Sequence, residues 1–398
     1  MTTKLRINAI DHQGNGISKV DNKVIFIPNV LPNEMIEAEI IKEKKNYLEG
    51  KLINIIDPSN IRIKSKCPHY KECGGCNYQH IDIKEEEKIK LDIIKNILKR
   101  YASLEINPKF ISSKEYNYRN KVEFKIKDNF WGYYNAASHN FIKIDNCLLA
   151  KESINELIKN KDLFNISNGE IIIRCNYNNE LLIKINTNER YSIDLNSLTK
   201  NHKIIGIIVN DKLIYGENCF IERIGGYLFK VNINSFFQIN LDVLNEVFNI
   251  LKKDSFGKVV DLYCGVGTLG MALNKDKLYG IEIIPEAVKD AIKNAKINNQ
   301  DNLYMLGDSS NIKEIKDDID TIIIDPPRSG LNKETLNNVL NIKPNNLIYM
   351  SCNPLTLARD LNIIKNNYKI NEFYVLNMFP RTKHIECLVI LTSNDSSK

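Results

Sequence analysis

The chain has 398 residues, of which 43% are hydrophobic and 26% charged, with nine cysteines and a formal net charge of +6. That length allows two or three domains with cores of their own, and the balance of apolar and charged residues excludes a disordered chain. No run approaches the ~20 consecutive apolar residues of a membrane span, and the mild positive excess suits a nucleic-acid partner without demanding one. Met1-Thr2-Thr3-Lys4-Leu5-Arg6 leads directly into alternating residues, so a cytoplasmic protein without a secretory leader is expected. In that compartment the cysteines read as thiols, metal ligands or catalysts rather than disulfides.

Residues 1–57 read as an all-β unit. Asp11-His12-Gln13-Gly14-Asn15-Gly16 is a turn, Lys23 to Pro28 a strand, and Met35 to Ile40 alternates with a period of two. Several short strands with Gly- and Pro-bearing turns predict a small five-stranded barrel of the OB type. Lys42, Lys44 and Lys45 fit either a phosphate contact or a solvated hairpin tip. A cysteine-dense loop, Cys67 to Cys76, comes next. Glu85 to Tyr101 then repeats Ile89, Ile93, Ile94, Ile97 and Leu98 at helical spacing. Residues 58–235 are otherwise β-rich, with Lys121 to Ile126 and Glu180 to Ile185 as clear strands. From 236 to 398 strands and helices alternate, which predicts a largely parallel, doubly wound sheet of Rossmann-like character. Ser393 to Lys398 reads as a disordered tail. The expected fold class is therefore multi-domain α/β.

Cys67, Cys73 and Cys76 form one tight group and Cys147 stands apart, with Gly74 and Gly75 free to let the backbone wrap a bound ion. Zinc more often takes two Cys-x2–4-Cys pairs, so three cysteines plus one favour an iron–sulfur cluster of the 4Fe–4S type. A radical enzyme's triplet is more closely spaced. Buried free thiols are the plain alternative.

Asp261-Leu262-Tyr263-Cys264-Gly265-Val266-Gly267-Thr268-Leu269-Gly270 contains a G-x-G-x-x-G pattern after a strand, which by itself fits NAD. Gly265 allows a cofactor close to the backbone. The next strand ends at Glu282, placed for ribose hydroxyls, and a third ends at Asp308, near an adenine amino group. Acids at Asp261, Glu282, Asp308 and Asp325 around one pocket favour S-adenosylmethionine, a sulfonium cation without pyrophosphate. Asp325-Pro326-Pro327 strengthens that reading. Amino-group methylases follow these prolines with an aromatic residue, whereas Arg328 stands here. Cys352 lies where a second apolar run stops, in Met350-Ser351-Cys352-Asn353-Pro354, and is a candidate nucleophile at a strand end. His384-Ile385-Glu386 offers a base.

At these motifs the chain resembles the RNA uracil-5-methyltransferase family. The resemblance spans the chain through Asn234-Ser235-Phe236-Phe237-Gln238-Ile239-Asn240, Asp261 to Gly265, Asp325 to Arg328, Ser351 to Pro354, and Met378-Phe379-Pro380-Arg381-Thr382-Lys383-His384-Ile385-Glu386. It implies that the amino-terminal barrel is a TRAM domain, and that Cys67, Cys73, Cys76 and Cys147 hold the cluster found in ribosomal-RNA members. It also implies a class I methyltransferase domain in which Gln238, Tyr263, Glu282 and Asp325 contact the methyl donor. The helix near 78–109 is expected to pack with that domain. Members acting on tRNA commonly lack the barrel and the cluster, so 23S rRNA is the expected substrate, tRNA the nearest rival, and an RNA-binding or RNA-folding factor the rival of another class. The protein is expected to act as a monomer.

The chemistry requires the same parts. Uracil C5 is too poor a nucleophile for a sulfonium methyl group until a thiolate has added at C6. Cys352 is assigned as that nucleophile and Glu386 as the base that removes the C5 proton. Arg328 helps polarise the base or position Asp325. His384 reads as a structural hydrogen-bonder, and Phe236 and Phe237 as either core or a stacking platform for an extruded uracil. Cys264 reads as packing, and Cys175, Cys219 and Cys387 carry no signal.

Overall fold

In a computed structural model the chain is described over residues 2–135 and 138–397. The first sheet orders its strands Thr2–Arg6, Met35–Glu43, Tyr47–Asp57, Lys23–Pro28, Asn15–Val20 and Ala9–Ile10. Its two outermost strands are successive pieces of one N-terminal run. Asn8 donates its backbone N–H to Ile17 O at 2.8 Å, and Ser18 Oγ donates to Arg6 O at 2.7 Å, so the sheet curls back on itself. The period-two alternation sends Ile25, Ile27, Ile36, Ala38 and Leu48 into a small core. Asp21 and Asn22 turn the hairpin between the third and fourth strands in chain order, both at positive φ (48° and 65°), as a two-residue hairpin loop demands.

The helix Ile83–Ala102 starts at Asp82, whose carboxylate accepts the N–H of Lys84. Its buried face (Ile93, Ile94, Ile97, Leu98, Ala102) packs with the far C-terminal part of the chain, against the helix Pro354–Ile364. The strand Lys109–Ile111 then joins the C-terminal sheet, parallel to Tyr368–Leu376. The first sheet ends with its last strand at Asp57, whereas residues 58–235 are not one sheet, since Lys109–Ile111 belongs to the C-terminal one.

The central sheet runs Phe141–Lys143, Phe130–Tyr134, Lys121–Lys127, Asn168–Cys175, Leu181–Asn186, Ile204–Val209 and Lys212–Gly216. Phe124, Trp131, Phe164 and Ile171 fill its core under the helix Glu152–Lys159. A separate hairpin, Cys219–Ile224 and Tyr227–Asn232, shares its core with the next layer, where Phe229 and Val231 meet Val243, Val247 and Phe248.

The C-terminal sheet orders Leu303–Leu306, Lys277–Glu282, Lys258–Leu262, Thr321–Ile324, Asn346–Ser351, Glu386–Ser393, Tyr368–Leu376 and Lys109–Ile111. The first five are parallel. Helices cover both faces, so Val259, Ile323 and Ile348 enter one core while Val260, Ile322 and Leu347 enter the other. The order reverses beside Lys258–Leu262, which opens a crevice at the carboxyl ends of the strands. Glu386–Ser393 runs antiparallel to both neighbours. Its amino end, Glu386, therefore stands at the same rim as the carboxyl end of Asn346–Ser351.

Ser393 closes that last strand and Asn394–Ser397 form a 3-10 turn; Lys398, the end of the expected disordered tail, lies outside the described residues. Among the described residues no helix is long and apolar enough to cross a membrane.

Candidate active site

The loop after Lys258–Leu262 holds Tyr263, Gly265 and Gly267 at φ of 63°, 54° and 84°. This left-handed run turns the backbone sharply into the helix Thr268–Ala272. A Cβ on Gly265 would meet nothing within 4 Å, whereas one on Gly270 would lie 2.6 Å from Asp261 Oδ2. Gly265 thus leaves its surroundings open, and Gly270 lets the helix press on the strand. Asp261, buried, accepts the N–H of Gly270 at 3.0 Å. Burial pushes its carboxyl up to about 8; the Gly270 N–H opposes this, and the charges of Asp325 and Glu282 add to it. Glu282 accepts from Gly265 N–H (3.0 Å) and Ile284 N–H (2.9 Å), so the second strand's acid sets the shape of the first strand's loop. Tyr263 accepts from Ser309 Oγ at 2.8 Å, and Asp308 caps the 3-10 turn after it through Ser310 N–H at 2.9 Å.

The structure brings Gln238, Tyr263, Gly265, Glu282, Asp308, Asp325, Cys352 and Glu386 to the wall of one cavity of about 1150 Å³. A single small ligand occupies roughly 300–1,000 Å³, so there is room for more than one reactant. Among the described lining residues Asp211, Glu282, Glu286, Asp308, Asp325 and Glu386 are acidic, and Arg328 alone is basic. Such a wall suits a cation and opposes a pyrophosphate. Ile208, Asp211 and Leu213 of the central sheet complete the wall. Nothing in the sequence around them announces this, because they reach the cavity only through the packing of one sheet on another.

Cys352 follows the strand Asn346–Ser351 and is half-buried. Burial raises its thiol pKa, the charges of Glu386 and Asp325 raise it further, and Arg328 opposes them. Asn353 caps the next helix through Leu355 N–H (3.1 Å) and donates its Nδ2 to Arg328 O (2.8 Å), which ties this loop to the Asp-Pro-Pro-Arg loop. Glu386 is 6% exposed; burial and then Asp325 push its carboxyl up to about 8, against the pull of Arg328. Burial pushes Asp325 up to about 7. His384 goes the other way, down to about 4, through burial and then the positive charges of Arg328 and Lys383. Its ring lies edge-on to Phe379 at 5.4 Å with Nδ1 3.5 Å from Arg328 Nη2, so it stays neutral at pH 7 and buttresses Arg328.

The two phenylalanines part company. Phe237 is buried against Phe229 at 5.6 Å, while Phe236 is 72% exposed at the cavity. Cys264, Cys175 and Cys387 are buried. Cys264 packs where a Cβ on Gly280 would meet its sulfur at 2.9 Å, and Cys175 contacts Ser153 Oγ at 2.9 Å.

Cys67, Cys73, Cys76 and Cys147 approach one another, while Cys219 stands apart at the start of the strand Cys219–Ile224. A short helical turn, Tyr70–Cys73, stops at Gly74 in the left-handed region (φ 69°), returning the chain to Cys76. Cys147 arrives from the central sheet on a loop held by Asn155, which accepts Cys147 N–H (2.9 Å) and donates to Cys147 O (3.0 Å). Cys147 is near enough to raise the pKa of each of the other three, although burial is the larger cause in all of them; Cys76 reaches about 12. Among the described residues, however, no three His, Cys, Asp or Glu side chains are grouped closely enough to hold a metal ion.

A doubly wound sheet with a glycine loop and an acid-lined crevice at its switch point is a methyltransferase fold. Residues 82–394 match the tRNA (uracil-5-)-methyltransferase family and residues 2–53 the TRAM domain, so the chain belongs to that family and begins with a TRAM domain. An uncharacterized RNA methyltransferase of Aquifex aeolicus is 33% identical over 423 residues, covering 98% of this chain and 99% of the relative. One from Clostridium tetani is 32% identical over 447 residues, covering 98% and 96%. The crystal structure of Pyrococcus abyssi tRNA (uracil-54, C5)-methyltransferase in complex with S-adenosyl-L-homocysteine superposes with a TM-score of 0.79 at 24% identity, covering 98% of this chain and 100% of that one.

Proposed function

We propose that this protein methylates C5 of a uridine in 23S rRNA, using S-adenosylmethionine, with Cys352 as nucleophile and Glu386 as base. The observation that carries the reading is the meeting of Cys352 and Glu386, from strands of opposite direction, in the same cavity as the acid-rich glycine loop. S-adenosylmethionine would be held by Gln238, Tyr263, Gly265, Glu282, Asp308 and Asp325, and would supply the methyl group as a sulfonium cation whose charge suits these carboxyls. Cys352 Sγ, as thiolate, bonds to uracil C6, and the C5–C6 π electrons move onto the C4 oxygen as an enolate. The enolate pair returns through C5, which would bond to the sulfonium methyl carbon as the S–CH3 bond breaks, its electron pair staying on sulfur to leave neutral S-adenosylhomocysteine. Glu386 then takes the C5 proton, the freed pair restores the C5–C6 double bond, and the C6–S bond breaks to return the thiolate. A carboxyl raised to about 8 is a stronger base than an ordinary glutamate. Arg328 lowers the pKa of both Cys352 and Glu386 and so favours their ionised forms.

The RNA is assigned to the ribosome on the TRAM domain and the four converging cysteines. The curled amino-terminal sheet is read as an OB-type RNA grip. The cysteines are read as ligands of a 4Fe–4S cluster that crosslinks the Cys67–Cys76 loop to the central sheet, a role that needs the loop to tighten. Iron and acid-labile sulfide, about four of each per chain, are expected on anaerobic purification; stoichiometric zinc would overturn the cluster. The protein is read as a cytoplasmic monomer.

A tRNA substrate is the second reading, since the structurally similar Pyrococcus abyssi enzyme is a tRNA methyltransferase. Labelled S-adenosylmethionine, offered with unmodified 23S rRNA and separately with unmodified tRNA, decides between them when the product nucleoside is identified by mass spectrometry. 5-Methyluridine in rRNA alone is expected; 5-methyluridine only in tRNA keeps the mechanism and discards the ribosomal assignment. No transfer to either leaves an RNA-binding role.

A further inference from the structure

Glu386 is delivered by a strap, residues 377–385, and that strap is held from outside the cavity by a buried ionic cluster. Lys90, fully buried on the helix Ile83–Ala102, donates Nζ to Asn377 Oδ1 (2.8 Å) and Phe379 O (3.2 Å). One turn back on the same helix, Glu86 pairs with Lys90 at 2.9 Å and accepts the backbone N–H of Arg381 at 2.9 and 3.2 Å. Arg381 sits at φ 67°, a conformation that costs a non-glycine residue energy and needs its surroundings to enforce it. Its carbonyl accepts from Asn77 N–H (3.0 Å) and Tyr78 N–H (3.1 Å). Its guanidinium donates to Tyr78 O and Ile81 O and pairs with Glu115. The backbone and side chain of Arg381 are thus gripped by residues 77–115.

Burying Glu86, Lys90 and Arg381 together is a costly way to stabilise a fold, because an apolar set of equal volume generally does so as well or better. What the ionic set adds is direction: Asn377 Oδ1, Phe379 O and both backbone groups of Arg381 are tied to residues 77–90. None of the three residues lines the cavity. We propose that Glu86, Lys90 and Arg381 are positioning residues that fix the strap so that Glu386 stands over the reacting carbon. The inference rests on the uridine-methylating reading and deepens it. Cys352 and the glycine loop are carried by other elements, and the strap reaches Cys352 only through the His384–Arg328 contact, so loosening the strap slows the last proton abstraction far more than C6 addition or methyl transfer.

The test uses the full chain carrying Lys90→Met or Glu86→Gln, with labelled S-adenosylmethionine and the unmodified RNA that the wild-type protein methylates. Three quantities are followed: the melting temperature, the rate of 5-methyluridine release, and the denaturation-resistant protein–RNA complex. Release is expected to slow by about 100-fold, the order of loss from a small misplacement of a reacting group, while a methylated covalent complex accumulates. Release within twofold of wild type in a folded variant would overturn the inference. So would product and covalent complex falling together, which marks a general loss of the site. If Lys90→Met does not fold, Glu86→Gln, which keeps the side chain's shape, carries the test. If neither folds, the cluster belongs to the fold and not to the placement of Glu386, and the inference falls. A wild-type protein that methylates neither RNA brings down the functional reading instead, a different result.

Discussion

The two ends of the cavity are built on different principles. At the methyl-donor end the chemical residues other than Gln238 sit at or just after the carboxyl ends of parallel strands, and their fixing contacts are local or cross to the adjacent strand: Gly265 to Glu282, Gly270 to Asp261, Ile284 to Glu282. At the base end Glu386 opens an antiparallel strand, and the strap before it is held by Lys90 and Tyr78, partners 287 and 303 residues away in the chain. The base end requires the amino-terminal half of the chain to be in place, which makes proton abstraction the step most exposed to remote change.

The sharpest way to break this contrast is Cys352→Ala. With the nucleophile gone, 5-methyluridine formation is expected to fall by at least about 1,000-fold, as loss of a covalent nucleophile does elsewhere, and no covalent RNA complex should form. The donor end should still bind S-adenosylmethionine, seen as a retained rise in melting temperature. Loss of that rise would mean the two ends are not separable. Glu386→Gln is expected to cost about 100- to 10,000-fold in product release, the usual range for a general base, with the methylated covalent complex accumulating. Absence of that complex would transfer the base role elsewhere; His384, pushed down to about 4, is a weaker base at neutral pH.

The pH dependence of stability sharpens the contrast differently, because both ends contribute. Asp261, Asp325 and Glu386 are raised to about 8, 7 and 8, chiefly by burial. A raised carboxyl keeps its proton in the folded chain after the unfolded chain has lost it. The stabilisation is therefore complete below about pH 4, the ordinary carboxylate range, and is lost as pH rises toward 8. Urea midpoints of the donor-free protein should fall between pH 5.5 and 8.5, and Glu386→Gln should flatten part of the fall. A midpoint that rises over this window would refute the assignment of these three carboxyls.

Much of the donor end was legible in the chain because parallel strands advertise themselves as apolar runs and their loops as glycines and acids. Asp261, Gly265, Glu282, Asp308 and Asp325 all sit where an apolar run ends. The antiparallel turn of Glu386–Ser393 was not legible, since an apolar run does not state its direction. Lys90 was hidden for another reason: a lysine among Ile89, Ile93 and Ile94 reads as solvent-facing, and its burial is matched by Glu86 on its own helix together with Asn377 and Phe379 O from the far end of the chain. The cavity wall from Ile208, Asp211 and Leu213 has no motif at all.

The smallest effect, and the one most specific to the RNA side, concerns the adjacent phenylalanines. Phe237 is 4% exposed and belongs to the core around Phe229 and Phe248, so Phe237→Ala should destabilise the protein by about 3–5 kcal/mol, the cost of emptying such a site. Phe236 is 72% exposed and lines the cavity. Removing its ring should leave the melting temperature unchanged. A base stacked on an aromatic side chain gains about 1–3 kcal/mol, so Phe236→Ala should raise KM for RNA by roughly 5- to 150-fold with kcat less affected. The affinity for S-adenosylmethionine should stay as it was, because the acids and glycine loop proposed to hold it are untouched. An unchanged KM would move the uracil platform off Phe236. A fall in donor affinity would mean that Phe236 covers the donor rather than the base.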